Sequence, residues 1–231
     1  MVRNLAVIPA RSGSTRIRDK NIVPFAGRPL MAWAIDAART SGVFSHVMVS
    51  TDSPNYADVA RSLGAWVPHL RDKLADGRSS LAEVAGYELL FAERETGEAF
   101  ENVAIIQPTC PLLTGEDVKG AYEAFAASGS DSLMTCFPFA HCNPWWAFRI
   151  SRDGHADFIN DSPWDSRSQD HPRLYCPTGA MGIARAAVFR EDPVGTMKRC
   201  VYHPISPESG FDIDEPEDVA FAEMLKRERE K

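Results

Sequence analysis

The chain has 231 residues, enough for one well-buried domain with at most a small appendage. Hydrophobic residues make up 44% and charged residues 25%, the balance of a soluble globular protein. A net charge of −7 argues against a nucleic-acid partner, so an anionic small ligand would need a locally basic site. No apolar run approaches membrane-spanning length, and Leu5–Ala10 is too short for a signal-peptide core and meets Arg11 directly. A cytoplasmic protein without membrane contact is the expectation. Cys110, Cys136, Cys142, Cys176 and Cys200 are odd in number and widely spaced, which speaks against a disulfide framework or a zinc site. His141-Cys142 reads as a turn before Asn143-Pro144 rather than as a metal pair.

Leu5–Ile8 predicts a buried strand. Leu30–Ala38 predicts a helix with Leu30, Trp33, Ile35, Ala37 and Ala38 on its apolar side. His46–Ser50 is the next strand. Pro54–Leu63 is a helix opened by Ser53, with proline at its first position. Ser80-x-x-Glu83 is a capping box that starts a helix to about Glu93. Val103–Ile106 is a strand, Thr114-x-x-Asp117 opens a helix to about Ala127, and Leu133–Cys136 is a further strand. This alternation predicts an α/β fold with a doubly wound, mostly parallel sheet, whose ligands sit beyond the carboxyl ends of the strands.

The alternation breaks at Phe137. From there to Pro177 the chain is rich in Pro, Trp, Asn, Asp and His. Trp145–Ile150 and Ala156–Ile159 predict short strands joined by Arg152-Asp-Gly154, so residues 137–177 read as an inserted hairpin region within a single domain of residues 1–231. Trp145, Trp146, Phe148, Phe158 and Trp164 need cover, from their own domain or from a second subunit. Met181–Ala184 returns as a core strand, and a last helix from Glu217 to about Arg229 follows Pro216.

Four segments carry chemistry. Pro9–Asn21 follows the first strand. Gly13 with Ser12, Ser14 and Thr15 lets backbone N–H groups approach an anion, and Arg11, Arg16, Arg18 and Lys20 place four cations within ten residues. The spacing matches neither the P-loop nor the dinucleotide glycine fingerprint. In Gly210–Asp218, Asp212 and Asp214 flank Ile213. On an extended segment both carboxylates face one way, an arrangement that suits a hard cation such as Mg²⁺. Capping of the helix at Pro216 is the competing role for Asp214 or Glu215. Gln107-Pro-Thr-Cys-Pro-Leu-Leu113 is a rigid loop at a strand end; Gln107 and Thr109 there either read a base, hold a sugar or only shape a turn. In Ser166–Pro172, Arg167 either grips a substrate carboxylate or is a surface residue.

Together these segments resemble the acylneuraminate cytidylyltransferase family, the CMP-sialic acid synthetases and their bacterial nonulosonic-acid relatives. The likeness runs in order along almost the whole chain. It covers Ile8 through Asn21 (with Thr15 where lysine is common), Gly27-Arg-Pro-Leu30, Val49-Ser-Thr-Asp52, Gln107–Leu113 and Asp212–Asp218. It implies a Rossmann-like nucleotidyltransferase fold and transfer of a cytidylyl group from CTP to a nine-carbon keto acid sugar. Ala10, Arg11, Gly13, Ser14, Arg16, Lys20 and Asn21 would hold the nucleotide phosphates. Arg71, Ser80 and Gln107 would contact base and ribose. Gln107, Thr109, Arg167, Gln169, Thr178 and Gly179 would lie on the sugar side. Asp212 and Asp214 would bind Mg²⁺, and with Arg11 and Lys20 they would form the catalytic set. The inserted region would make a homodimer. Three positions depart from the family pattern: Leu113 and Ser168 replace arginines, and Thr178 replaces asparagine. Ser14-Thr-Arg16 also matches 3-deoxy-manno-octulosonate cytidylyltransferases, whereas Lys20-Asn21 and Asp212-Ile-Asp214 favour the nonulosonate side. A non-catalytic sugar-nucleotide-binding protein is the reading from a different class.

Overall fold

Leu5, Ala6, Val7 and Ile8 are all fully buried. They form the middle of β1 (Asn4–Pro9). β1 pairs in parallel with β4 (His46–Ser50) on one side and β5 (Asn102–Ile106) on the other. A strand paired on both edges and covered on both faces has no polar side to show, which is why the run is continuous rather than alternating. The computed structural model describes residues 2–75, 79–139, 143–160, 167–192 and 199–231. β9 (Tyr175–Arg185) runs antiparallel between β5 and β6 (Ser132–Pro138), and β10 (Cys200–Pro204) extends that edge in parallel with β6. The six-stranded order is β10-β6-β9-β5-β1-β4, mixed but mostly parallel.

Period-two alternation along β1 divides the core. Ala6 and Ile8 pack with Met31 and Ile35 of α1 (Met31–Thr40), Tyr56 and Ala60 of α2 (Pro54–Ser62), and Val118 and Phe125 of α4 (Gly115–Ser128). Leu5 and Val7 pack on the other face with Ala85 and Leu89 of α3 (Leu81–Thr96) and Phe189 of α5 (Ala186–Glu191). Each fully buried Leu, Val or Ile in such a layer contributes about 1.5–3 kcal/mol. The helix starts follow the caps read from sequence. Ser53 accepts from the Tyr56 N–H, and the Ser80–Glu83 and Thr114–Asp117 boxes are both closed.

A third cluster decides where the site lies. Phe25, Leu30, Leu112, Ile213 and Ala222 are buried together. They join the small hairpin of β2 (Pro24–Phe25) and β3 (Arg28–Pro29), the loop after β5, and α6 (Pro216–Arg229). The hairpin turns at Ala26-Gly27, both with positive φ, as a type I′ connection requires. This gives Gly27 of the Gly27-Arg-Pro-Leu30 motif its physical reason.

The structure revises several element expectations. β9 begins at Tyr175, six residues before the expected strand, because Cys176 and Tyr175 pair with Phe137 and Pro138. Both ends of the expected insertion are therefore sheet strands. Trp145 and Trp146 lie in a 3₁₀ turn (Pro144–Trp146) capped by Asn143, and the hairpin strands shrink to β7 (Phe148–Ile150) and β8 (Ala156–Phe158). Trp145 stacks on His171 and donates its indole N–H to the Pro172 carbonyl, so part of its cover comes from its own chain. Phe148 pairs with Phe158, yet Phe148, Ile150 and Ile159 stay exposed. Trp164, His141 and Cys142 lie outside the described residues. β10 and the β2–β3 hairpin were not anticipated. Both are short, and β10 pairs with β6, nearly seventy residues earlier. Among the described residues, no helix is long and apolar enough to cross a membrane, and Cys110, Cys136, Cys176 and Cys200 are free thiols.

Gly210 sits where the chain to the acidic segment passes β9. A Cβ there would lie 2.6 Å from the Thr178 Cγ2 and 3.2 Å from Phe137. Gly210→Ala is therefore expected to destabilise the fold by about 1–3 kcal/mol in urea denaturation. Adding Thr178→Ser, which removes the clashing methyl, restores most of the loss.

Candidate active site

Parallel β1, β4 and β5 deliver their carboxyl ends to one edge, and a cleft of about 310 Å³ opens there. The loop after β1 is strapped down by the connection after β4. Ala10, fully buried, donates its N–H to the Ser50 carbonyl at 2.9 Å. Ser12 donates its backbone N–H and its hydroxyl to the Asp52 carboxylate at 2.8 and 2.7 Å. Burial works against the Asp52 anion, but these two hydrogen bonds, helped by Arg71, hold its pKa below the ordinary carboxylate value. Asn21, buried, donates to the Arg11 carbonyl at 3.0 Å. Asp19 takes a left-handed backbone conformation, which Asp tolerates, and its carboxylate accepts from the Tyr56 hydroxyl. Arg11 closes on the loop by donating to the Gly13 carbonyl at 2.9 Å.

The acidic segment meets this loop. Ile213 is fully buried, and its N–H donates to the Thr109 carbonyl at 2.9 Å. Its neighbours Asp212 and Asp214 both line the cleft. The cap of α6 belongs to its own residues: Asp218 accepts from the backbone N–H groups of Asp214 and Glu215. The Asp214 side chain is thereby left to the cleft, where Lys20 donates to it at 3.0 Å and Arg16 at 2.8 Å. Lys20 also donates to the Ile213 carbonyl at 2.7 Å. The two carboxylates titrate in opposite directions. Burial, then the nearby Asp214 charge, raises the Asp212 pKa against the pull of Thr109, Lys20 and Arg16. Asp214 is held below the ordinary value because Lys20 and Arg16 outweigh its burial.

Arg11, Arg16, Lys20 and Arg71 thus face Asp212 and Asp214 across one cleft, which is locally cationic within an acidic chain. The sequence profile of the cytidylyltransferase family matches residues 5–229. The chain belongs to that family. It is 30% identical to a pseudaminic acid cytidylyltransferase of Campylobacter jejuni, over 97% of this chain and 96% of that protein. It is 33% identical to a CMP-N,N'-diacetyllegionaminic acid synthase of Legionella pneumophila, again over 97% and 96%. In structure it resembles a CMP:2-keto-3-deoxy-manno-octonic acid synthetase solved with CTP, with a TM-score of 0.69 at 16% identity, over 98% of this chain and 99% of that one. That similarity speaks to fold.

In this cytidylyltransferase the cleft gathers Arg11, Ser14, Arg16, Lys20, Asn21, Arg71, Gln107, Thr109, Asp212 and Asp214 from four separate stretches. Other expected residues lie elsewhere. Ser80 is spent on the capping box and faces a second, apolar cavity, while its neighbours Ser79 and Leu81 line the cleft. Thr178 is buried and hydrogen bonds with Thr135, and Gly179 lies beside Gln107 and lines the apolar cavity. Arg167 makes a two-pronged pair with Asp170 on an exposed turn; neither it nor the exposed Gln169 lines the cleft. Leu113, a departure from the family arginine, is a core residue. Ala10 and Gly13 contribute backbone rather than lining.

Sequence reasoning missed Asp52 as the clasp of the basic loop, although Val49-Ser-Thr-Asp52 was visible as a motif. It also missed Glu88, fully buried beneath Arg71. The signal was present: positions 84, 85, 88, 89 and 92 form the buried stripe of α3, and one of them is a glutamate.

Two carboxylates on one side of an extended segment, one with its anion disfavoured by burial and by its neighbour, fit a divalent cation. Among the described residues no third His, Cys, Asp or Glu converges with them. Such an ion would take its remaining oxygens from phosphate and water. Because the folded-state pKa of Asp212 is raised, its ionisation costs stability above that pKa and nothing below the unfolded value. Asp212→Asn should therefore raise the thermal unfolding temperature of the ligand-free protein at pH 7, with the gain disappearing as pH falls towards about 4. Equal unfolding temperatures at pH 7 would contradict a raised pKa for this carboxylate.

Proposed function

We propose that this cytidylyltransferase activates a nonulosonic acid, a nine-carbon α-keto acid sugar, with CTP, giving the CMP-sugar and pyrophosphate. The observation that carries the reading is the Lys20 bridge to Ile213 and Asp214, which brings the cationic loop and the paired carboxylates into one cleft. The relatives with at least 30% identity include enzymes named for pseudaminic and legionaminic acids, which supports an acceptor of that type. An N-acylneuraminate cytidylyltransferase of Streptococcus agalactiae is 27% identical over 94% of this chain and 52% of that protein.

In the reaction the anomeric hydroxyl oxygen of the sugar attacks the α-phosphorus, and the bond to the β-phosphate oxygen breaks. Positioning and charge neutralisation dominate such a transfer. Arg11, Arg16 and Lys20 hold the β- and γ-phosphates and stabilise the leaving pyrophosphate. Arg71 and Gln107, which also line the cleft, would contact the base and ribose. Asp212 and Asp214 would hold Mg²⁺, which supplies charge neutralisation and acidity for the attacking hydroxyl. No histidine is among the described residues lining the cleft. The exposed apolar residues Phe148, Ile150 and Ile159 support a homodimer that covers the hairpin, and such a partner would be the route by which Arg167 reaches a sugar carboxylate. CTP as co-substrate supports a cytoplasmic reaction.

A pyrophosphate-release screen of several nonulosonic acids and 3-deoxy-manno-octulosonate against the four nucleotides tests the assignment. Turnover is expected with CTP and a nonulosonic acid. Release with the octulosonate alone would move the chain to that branch, and CTP binding without turnover on any acid would make it a binding protein. Asp212→Ala is expected to abolish turnover with the fold intact. Arg11→Ala is expected to lose about 2–4 kcal/mol of transition-state stabilisation in kcat/KM.

A further inference from the structure

Beneath the cleft lies a buried polar network that the proposed reaction does not use. Glu88 is fully buried on the apolar stripe of α3, between Ala85 and Leu89. Its carboxylate accepts from the Ser50 hydroxyl at 2.5 Å and lies 2.8 Å from the His69 Nε2. The His69 ring stacks on Phe91 at 3.7 Å. Ser50 in turn accepts from the Arg71 Nη1 at 2.9 Å. Arg71 is 3% exposed, lines the cleft, and donates its backbone N–H to Thr51. Its Nε is the buried side-chain polar atom without a partner among the described residues.

A buried carboxyl group is a poor way to stabilise a helix, since an apolar residue of similar size in that stripe would cost less. A buried guanidinium with a free N–H is a second such cost. The two costs meet through one hydroxyl. Hydrogen-bond directions agree along the chain: the guanidinium donates to Ser50, and Ser50 donates to a carboxylate that only accepts. Burial pulls the Arg71 pKa down, and Glu88 followed by Asp52 opposes that pull.

We propose that Glu88 is a positioning residue for nucleotide binding: through Ser50 it fixes the Arg71 guanidinium in the wall of the cleft, in the orientation that meets the nucleotide. The proposal rests on the reading of the cleft as the CTP site. It names a residue that does not touch substrate and explains why α3 carries a charge in its core.

The test is a double-mutant cycle on CTP binding, measured by calorimetric titration with CTP and Mg²⁺. Arg71→Ala is expected to weaken binding at least tenfold, and Glu88→Gln about tenfold, with circular dichroism unchanged. In the Arg71→Ala background, Glu88→Gln should change the Kd less than twofold, because its effect passes through Arg71. In pyrophosphate release, Glu88→Gln should raise the KM for CTP more than it lowers kcat. If Glu88→Gln does not fold, Ser50→Ala, which removes one buried hydroxyl, replaces it in the same cycle. Additive effects, or an unchanged Kd in the Glu88→Gln or Ser50→Ala variant while Arg71→Ala weakens binding, would overturn the relay and leave the CTP site standing. Failure of the wild-type protein to bind CTP would overturn the site itself, and the relay with it.

Discussion

Parallel pairing of β1 on both its edges is the constraint from which the rest follows. Once Leu5–Ile8 is buried on both faces, β4 and β5 must lie alongside in the same direction, and the segments that leave all three strands emerge at one edge. The basic loop, the Ser50–Asp52 connection and the Gln107–Leu113 loop thus become neighbours although about a hundred residues separate the first from the last. The clasp of Ser12 on Asp52 and the buried Asn21–Arg11 hydrogen bond then hold the basic loop against that edge rather than leaving it solvated.

The acidic segment reaches the same edge by a different force. Its ion pairs with the loop are half-exposed on the Arg16 side, and such pairs contribute little to stability. What places Asp212 and Asp214 is Ile213, buried between them and tied to the Thr109 carbonyl, with Asp218 holding the backbone behind it. One apolar side chain pointing inwards turns both carboxylates outwards. The charges are therefore positioned by packing and backbone hydrogen bonds and remain available for a ligand. Lys20, only 14% exposed, is the closest join between the two halves. Asp214 is held low by the Lys20 and Arg16 side chains that touch it, whereas desolvation and the Asp214 charge raise Asp212.

The buried charges of α3 extend the same logic one layer deeper. Glu88 interrupts a stripe that helix periodicity would fill with apolar residues, and the interruption lies under Arg71, a cleft cation that is itself buried. A core that carries a carboxyl group in such a stripe is organised around more than stability.

The sequence by itself determined the α/β class, the caps of three helices, the basic loop after the first strand and the paired aspartates. Each of these is local: a period of two or 3.6, a cap spacing of three, or a cluster of charge within ten residues. Residues whose role depends on a distant partner were read less well. Thr178 looked like a sugar contact and bonds Thr135 in the core. Leu113 looked like a missing arginine and is packing. Only the tertiary structure decided these, along with the β10 edge strand, the Asp52 clasp and the burial of Glu88. The physical reason is that the direction of a side chain is set by what it packs against, and in this fold those neighbours lie tens to nearly two hundred residues away along the chain.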